Sequence, residues 1–468
     1  MSHQNYGIRS LIAFVSVPLA AMLVAGCSGS NTASTTTTTT NAVTGNAFVI
    51  GTDAPVAGVI SFTTQIQSVN AIDSSGNSVS LVSGTPTVDF ARYNGLQTLL
   101  DLNAVPVGTY NSVQITLGTT TIGYLNTQAG AAPTVQTEPA TLSTSTIKVT
   151  LPTPLVVSQT EPVGLRVDFD LYKSIQVDST GQITGNVTPT FNVTAVAPSD
   201  SAGHIDDFDA AVVSVNASGQ SFVIQGPHGR QFTVQVNGQT EFDNSESLSD
   251  LTTSSIVEVS GTIATADSTI TADEVAILSQ DGFHAGGQVT YVQPPSGTAT
   301  SFDLYVRDLL PTTTGLSLGQ IATVNLTGNE KYFIYWMHNP LTQFLFNSKT
   351  LLPGQHVSIG GPASGATNAQ AVTAKRVVLR NWGFNGTVVA GSVNSGNDTF
   401  QMNINGFAGL LVPGPVTVYL GTASDFRDGL TSMTSLTAGS NIRVVGLLVK
   451  DPLSGNSVLL ARHVDQLN

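Results

Sequence analysis

Short runs of alternating apolar and polar residues, separated by turn clusters, recur along the chain from residue 45 onward. In VISFTTQIQ, Ile60, Phe62 and Ile66 fall on one parity, and in SVQITLG so do Val113, Ile115 and Leu117. A period of two puts such residues on one face of a half-buried strand. Clusters such as DSSGNS, residues 73–78, supply the turns between runs. No apolar pattern of helical period is long enough for a substantial helix, so the chain is expected to be mainly β.

Residues 45–200 read as one antiparallel β-domain. The blocks NAFVI and GTDAPVAGV, then VDFARYNG, VPVGTYNSVQITLG and VGLRVDFDLYKSIQVDSTGQITGNVTPTFNV, follow one another in order. Together they resemble a bacterial lipoprotein domain family of unknown function with a Thr-Asp-Ala-Pro element. The resemblance implies an immunoglobulin- or transthyretin-like sandwich and no known reaction. In Thr52-Asp53-Ala54-Pro55 the Asp can bond the backbone two residues on and Pro55 fixes φ, as in a turn. A calcium reading would gather Asp53 with Asp168 and Asp170 as oxygen ligands. Asp168 and Asp170 flank Phe169 in a strand-like run, however, so a turn plus a solvated strand edge is preferred. Tyr110, just after Gly108, resembles the tyrosine of sandwich corners, a packing feature.

From residue 206 a pattern repeats three times, over 206–281, 282–381 and 382–468. Each copy has a second strand with Phe222, Phe302 or Phe400, and a later strand ending at Gly261, Gly361 or Gly446. Each closes on the same pattern, Ala272 to Val275, Ala374 to Val377 and Ala461 to Val464. A glycine at a strand end suits a tightly curved sheet. The copies resemble a second bacterial family of unknown function, for which a small OB-like barrel is expected. Linkers are expected near Ser199 to Gly203, Asp281 to Gly282 and Asn381 to Trp382. In the third copy Phe400, Ile442, Val444 and Val464 are expected core members.

The N-terminal segment changes the picture. After a polar stretch whose only fixed charge is Arg9, Leu11 to Gly26 is uncharged, too short for the ~20 residues of a spanning helix, and interrupted by Pro18. Residues 1–26 therefore read as a secretory signal. Val24-Ala25-Gly26-Cys27 resembles the bacterial lipobox, which implies cleavage before Cys27 and acylation of the only cysteine in the chain. Residues 27–44 then form the acylated cysteine and a Thr-rich uncharged tether. The expected location is exported and lipid-anchored, at the periplasmic face, the outer membrane or the cell surface.

Charged residues make up 10% of the chain. Of its 16 basic residues Arg9 lies in the signal, which leaves 15 against 30 acidic, a net charge near −15. That excess disfavours nucleic acid and anionic lipid as partners. With Cys27 acylated no disulfide can form, so each module depends on its own core. No HExxH, GxSxG, phosphate loop, paired-cysteine or cofactor motif is present, so neither catalysis nor a cofactor is expected. Ser145-Thr-Ile-Lys148 matches SxxK by chance in a strand-like run. HIDDFD, His204 to Asp209, has metal-ligand residue types but reads better as a solvated linker. His228, His284, His338, His356 and His463 show no ligand spacing.

One segment stands out. In NEKYFIYWMHNPLTQFLF, residues 329–346, Tyr332, Ile334 and Trp336 share one strand parity while Phe333 and Tyr335 share the other. A strand here would be aromatic on both faces. Either a neighbouring module covers the second face, the preferred reading, or Tyr332, Tyr335, Trp336, His338 and Phe344 form a platform for a glycan or an envelope protein. The chain is thus expected to be a non-catalytic binding or adhesion protein anchored at the cell envelope. A structural envelope component is the alternative, and an unrecognised hydrolase the third reading.

Overall fold

The computed structural model describes residues 43–54, 59–126, 134–179, 183–226, 229–264, 269–311, 315–335, 343–362 and 371–467. Cys27 and the tether lie outside them. The fold is mainly β, and among the described residues no helix is long and apolar enough to cross a membrane.

The N-terminal part is a β-sandwich. One sheet has the strand order Phe191–Val196, Val163–Asp170, Thr44–Ala54, Thr98–Pro106, with the middle pair parallel. The other is built on Val59–Asp73 paired with Gly108–Asn126. Phe62, Ile66, Val113, Ile115 and Leu117 meet Leu165, Val167 and Phe169 between the sheets, as the alternation requires. Ile60 does not join them. A register shift between Val59 and Ser61 interrupts the alternation, and Ile60 packs on Tyr305 of the second repeat instead. Tyr110 donates its hydroxyl to the Pro106 carbonyl at 2.8 Å, a corner contact of the packing kind. Asp73 closes the DSSGNS turn by accepting the amides of Ser75 and Asn77.

The three copies share one strand order. Their first strands are Ile205–Asn216, Gly282–Gln293 and Trp382–Val388. Counting only the five strands the copies share, the first lies between the second (Ser221–Gln225, Ser301–Leu310, Thr399–Ile404) and the fourth (Ile256–Ile263, His356–Pro362, Asn441–Lys450), and the third (Gln231–Gln235, Ile321–Asn325, Pro415–Arg427) pairs in parallel with the fifth (Thr269–Ser279, Ala371–Thr373 continued by Arg376–Leu379, Ser457–Gln466). Phe222, Phe302 and Phe400 sit opposite Val234, Val324 and Val418 at one equivalent register. The third copy is a closed five-stranded barrel whose core holds Phe400, Ile442, Val444 and Val464. The repeat glycines Gly261 and Gly446 lie within their strands rather than at the ends, where the fourth strand crosses close over the fifth. A Cβ there would stand 2.2 Å from the Thr271 carbonyl oxygen and 2.0 Å from that of Leu460. The register also slips at both points, so each glycine marks a bulge.

Several strands are apolar on both faces because both faces are covered. In Thr44–Ala54, Ala47 and Val49 face the sandwich core while Phe48 and Ile50 pack with Phe208 and Val257 of the first copy. Leu447, Val449, Val458 and Leu460 of the third copy belong to the core of the second. The expected linkers are therefore tight junctions: Ser201–Gly203 is a short helical turn, and Asn381 and Trp382 are buried.

Candidate functional site

HIDDFD is not a solvated linker. Ile205 to Asp209 opens the first strand of the first copy, and the amides of Asp206 and Asp207 both donate to the Gln97 carbonyl of the sandwich. Asp209 lies directly opposite Glu258. Like charges so placed repel, and a cation must lie between them for the pairing to hold. Arg380, from the fifth strand end of the second copy, fills that role. Its guanidinium donates to Asp207 Oδ1 at 2.8 Å, to Asp209 at 3.1 Å and to Ser358 Oγ at 3.0 Å, and it contacts Glu258 Oε2. Arg92, from the Phe90–Tyr93 turn of the sandwich, donates to Asp207 Oδ1 at 2.9 Å and Asp209 Oδ2 at 2.7 Å. His284 Nε2 bonds Asp308 Oδ1 from within the second copy. Asp308 fits there because Gly286 has no side chain, since a Cβ would lie 2.2 Å from Asp308 Oδ2.

All seven side chains are buried, so their charges must balance in place. Burial pushes the Glu258 carboxyl well above the usual range, against the attraction of Arg380. Burial disfavours the His284 imidazolium too, but Asp308 and Asp209 outweigh it and raise its pKa. Burial likewise works against the carboxylates of Asp209 and Asp308, yet the cations hold both below their ordinary value. Asp207, Asp209, Glu258 and Asp308 thus share Arg92, Arg380 and His284: burial raises Asp207 and Glu258, while the cations lower Asp209 and Asp308. Asp209, His284 and Asp308, and likewise Asp207, Asp209 and Glu258, bring ligand atoms within 4.8 Å of one another. The guanidinium groups already stand among these atoms, so a metal ion would have to displace them.

VDFARYNG is the sandwich's plug into all three repeats. Besides Arg92, Asp89 pairs with Arg307 of the second copy at 3.3 Å, and Asn94 donates to the Gly383 carbonyl of the third at 2.8 Å. Arg307 also stacks 4.5 Å from the Trp382 ring centroid, on the other side of the junction. His356 packs edge-on against Trp382 and is held neutral, its pKa pushed down to about 3 by burial and by Arg380.

Among the described residues of the aromatic segment, Tyr335, Phe344 and Phe346 are buried. Lys331–Ile334 forms a strand beside Arg376–Leu379, with Arg376 stacked on Phe333 at 3.6 Å and bound to Glu246 of the first copy by two bonds. Tyr335 is fully buried, its hydroxyl 3.0 Å from Ser260 Oγ of the first copy. Phe344 is buried 5.6 Å from the Tyr419 ring of the third, and Tyr332 is half-buried on Phe346. Tyr335 and Phe344 thus face neighbouring modules and offer no open platform. Trp336 and His338 lie outside the described residues. Asp168 and Asp170 do not form a calcium set together: Asp170 is buried, caps the Leu171–Ser174 turn and pairs with Lys173 at 2.7 Å, while Asp168 accepts from Asn192 at 3.4 Å. Asp53 is in register with Phe169, and its side chain lies outside the description.

Residues 44–189 match the family model of a domain of unknown function, DUF4382. Residues 210–276 match a second one, DUF5666. No curated protein matches the chain. The two-family layout expected from the sequence is what these matches show. The plug VDFARYNG falls inside the DUF4382 match and Glu258 inside the DUF5666 match, which covers most of the first copy. Asp207 and Asp209 lie just before that second match, and Asp308 and Arg380 lie beyond it.

A second feature opens to solvent. Ser199, Asp200, Ser201, His204, Asp206 and Thr262 line a cleft with Arg427 and Arg462 of the third copy. Burial opposes the charged form of His204, but bonds to Asp206 at 3.2 Å and Asp273 at 3.0 Å raise its pKa to about 9. The folded value exceeds the unfolded ~6.5, so the stabilisation from this group is complete below about pH 6.5 and lost as pH rises through about 9. Urea unfolding of parent and His204→Gln at a series of pH values should show the parent losing its advantage across that window. Parallel curves from pH 6 to 10 would contradict the pairing.

Sequence reasoning passed over Arg92, Glu258, Arg307, Asp308 and Arg380. A signal was present. IVEVSG and LYVRDLL place charge inside an otherwise apolar strand and VVLRNW at the end of one, which in a chain with 10% charged residues marks a buried pair.

Proposed function

We propose that the protein is a lipid-anchored exported platform whose folded part serves a non-catalytic binding or adhesion role at the cell envelope. The observation that carries the anchoring is Cys27, the only cysteine, set between a lipobox-like Val24-Ala25-Gly26 and an uncharged tether. The fourteen residues Ser28 to Asn41 carry no charge and no large apolar side chain, a composition suited to a tether. Rigidity of the platform follows from the buried ionic junction, whose carboxylates are engaged by guanidinium groups rather than free for acid–base work. The shared strand order, with parallel third and fifth strands, supports reading the repeats as OB-like barrels, and the corner tyrosine supports an immunoglobulin- or transthyretin-like sandwich. The burial of Tyr335 and Phe344 between modules favours the second reading, a structural envelope component without a specific ligand.

Metabolic labelling with a fatty acid tests the anchor. The parent should take up label and fractionate with membranes, and Cys27→Ser should lose both. A Cys27→Ser chain that still carries label and stays in the membrane would overturn it.

A further inference from the structure

We propose that the cleft at the junction of the sandwich, the first repeat and the third repeat binds the carboxylate of a monosaccharide-sized ligand, held by Arg427 and Arg462. The proposal gives the binding role above a site. The cleft measures about 200 Å³, a space on the scale of one sugar ring. It is assembled from three parts of the fold and exists only because they are docked. Ser199 and Ser201 come from the turn leaving the sandwich, Thr262 from the first repeat, and the arginines from the third.

The polar groups facing the space are under-used. Arg462 is four-fifths buried by side chain, yet makes no hydrogen bond among the described residues; its nearest carboxylate is Glu274 Oε2 at 3.9 Å. That long contact leaves guanidinium donors that an acceptor in the cleft can take up. Arg427 has only a long contact with exposed Asp425 at 3.4 Å. The hydroxyls of Ser199, Ser201 and Thr262 have no protein partner among the described residues. A planar carboxylate can accept two parallel bonds from a guanidinium, and the hydroxyls remain for the rest of the ligand.

The acids around the cleft set the ligand's charge. Asp206 and Asp273 are taken up by His204, and Asp200 accepts the Ala197 amide at 2.9 Å. With Glu274 and Asp425 also near the arginines, a dianion would meet repulsion that a single negative charge meets to half the extent. A carboxylate is therefore favoured over a phosphate ester.

The test is calorimetric titration at pH 7 of the chain from Ser28 onward, which contains the whole compact unit of residues 42–468, with D-glucuronate, D-glucose and glucose 6-phosphate as probes. Glucuronate should bind at least tenfold more tightly than either of the others, and Arg427→Gln should weaken it at least tenfold while leaving the urea midpoint unchanged. Arg427 is partly exposed and ends its strand, so this variant tests the site and not the fold. No binding of glucuronate, binding no tighter than glucose, tighter binding of glucose 6-phosphate, or full affinity in Arg427→Gln would each overturn the proposal. None of these results bears on acylation at Cys27, which the labelling experiment reads separately.

Discussion

Replacing Arg380 by Met is expected to destabilise the folded unit by about 3–5 kcal/mol, the usual cost of removing one partner from a buried ion network. Arg380 is among the largest fully buried side chains of the described residues, and its guanidinium stands between Asp209 and Glu258, which face each other across two paired strands. Without it the buried acids Asp207, Asp209, Glu258 and Asp308 keep only Arg92 and His284 as cations in a dry interior. Two controls make the result specific. Lys375→Met, which removes an exposed pair with Asp281, should change stability by no more than about 0.5 kcal/mol. Because burial disfavours the Glu258 carboxylate, Glu258→Gln should cost less than Arg380→Met, and the double variant should fall short of the sum. Urea unfolding at pH 7 measures all four. A midpoint for Arg380→Met no lower than that for Lys375→Met would show that the network does not hold the modules.

The strand pattern was legible because burial on one face forces a period of two. Phe62, Ile66, Val113, Ile115 and Leu117 all sit where alternation puts them, and the repeats were visible as Phe222, Phe302 and Phe400 because one register position needs the same ring each time. Alternation misled at Ile60, where a bulge resets the parity and nothing in VISFTT announces it. The junction was legible only as residue types. Its ion pairs join Arg92 to Asp207 across 115 positions and Arg380 to Asp207 across 173, and no local spacing encodes such a pairing. HIDDFD looked solvated for the same reason. Its carboxylates are polar by themselves and buried only because cations from two other modules arrive at them. A block read as part of the sandwich's own fold, VDFARYNG, turned out to be the element that docks the sandwich on the repeats.

Tyr335→Ala should cost about 3–5 kcal/mol, the range for emptying a large aromatic site in a core, and should bring no loss of ligand binding at the arginine cleft. The ring is completely buried among Val377, Leu379 and the cores of two repeats, and its hydroxyl reaches Ser260 across the junction. Tyr335→Phe keeps the ring and removes only that hydrogen bond, so it should cost about 1 kcal/mol. The ratio between the two variants carries the information. A platform aromatic would show the reverse pattern, with stability nearly unchanged by Ala and affinity for a glycan reduced. Thermal and urea unfolding of both variants, run beside a polysaccharide screen of the same preparations, distinguishes the cases. A Tyr335→Ala protein that unfolds with the parent and loses a ligand would return this segment to the surface. One that unfolds early and leaves all binding intact makes Tyr335 part of the packing that joins the second repeat to its neighbours, as its contact with Ser260 requires.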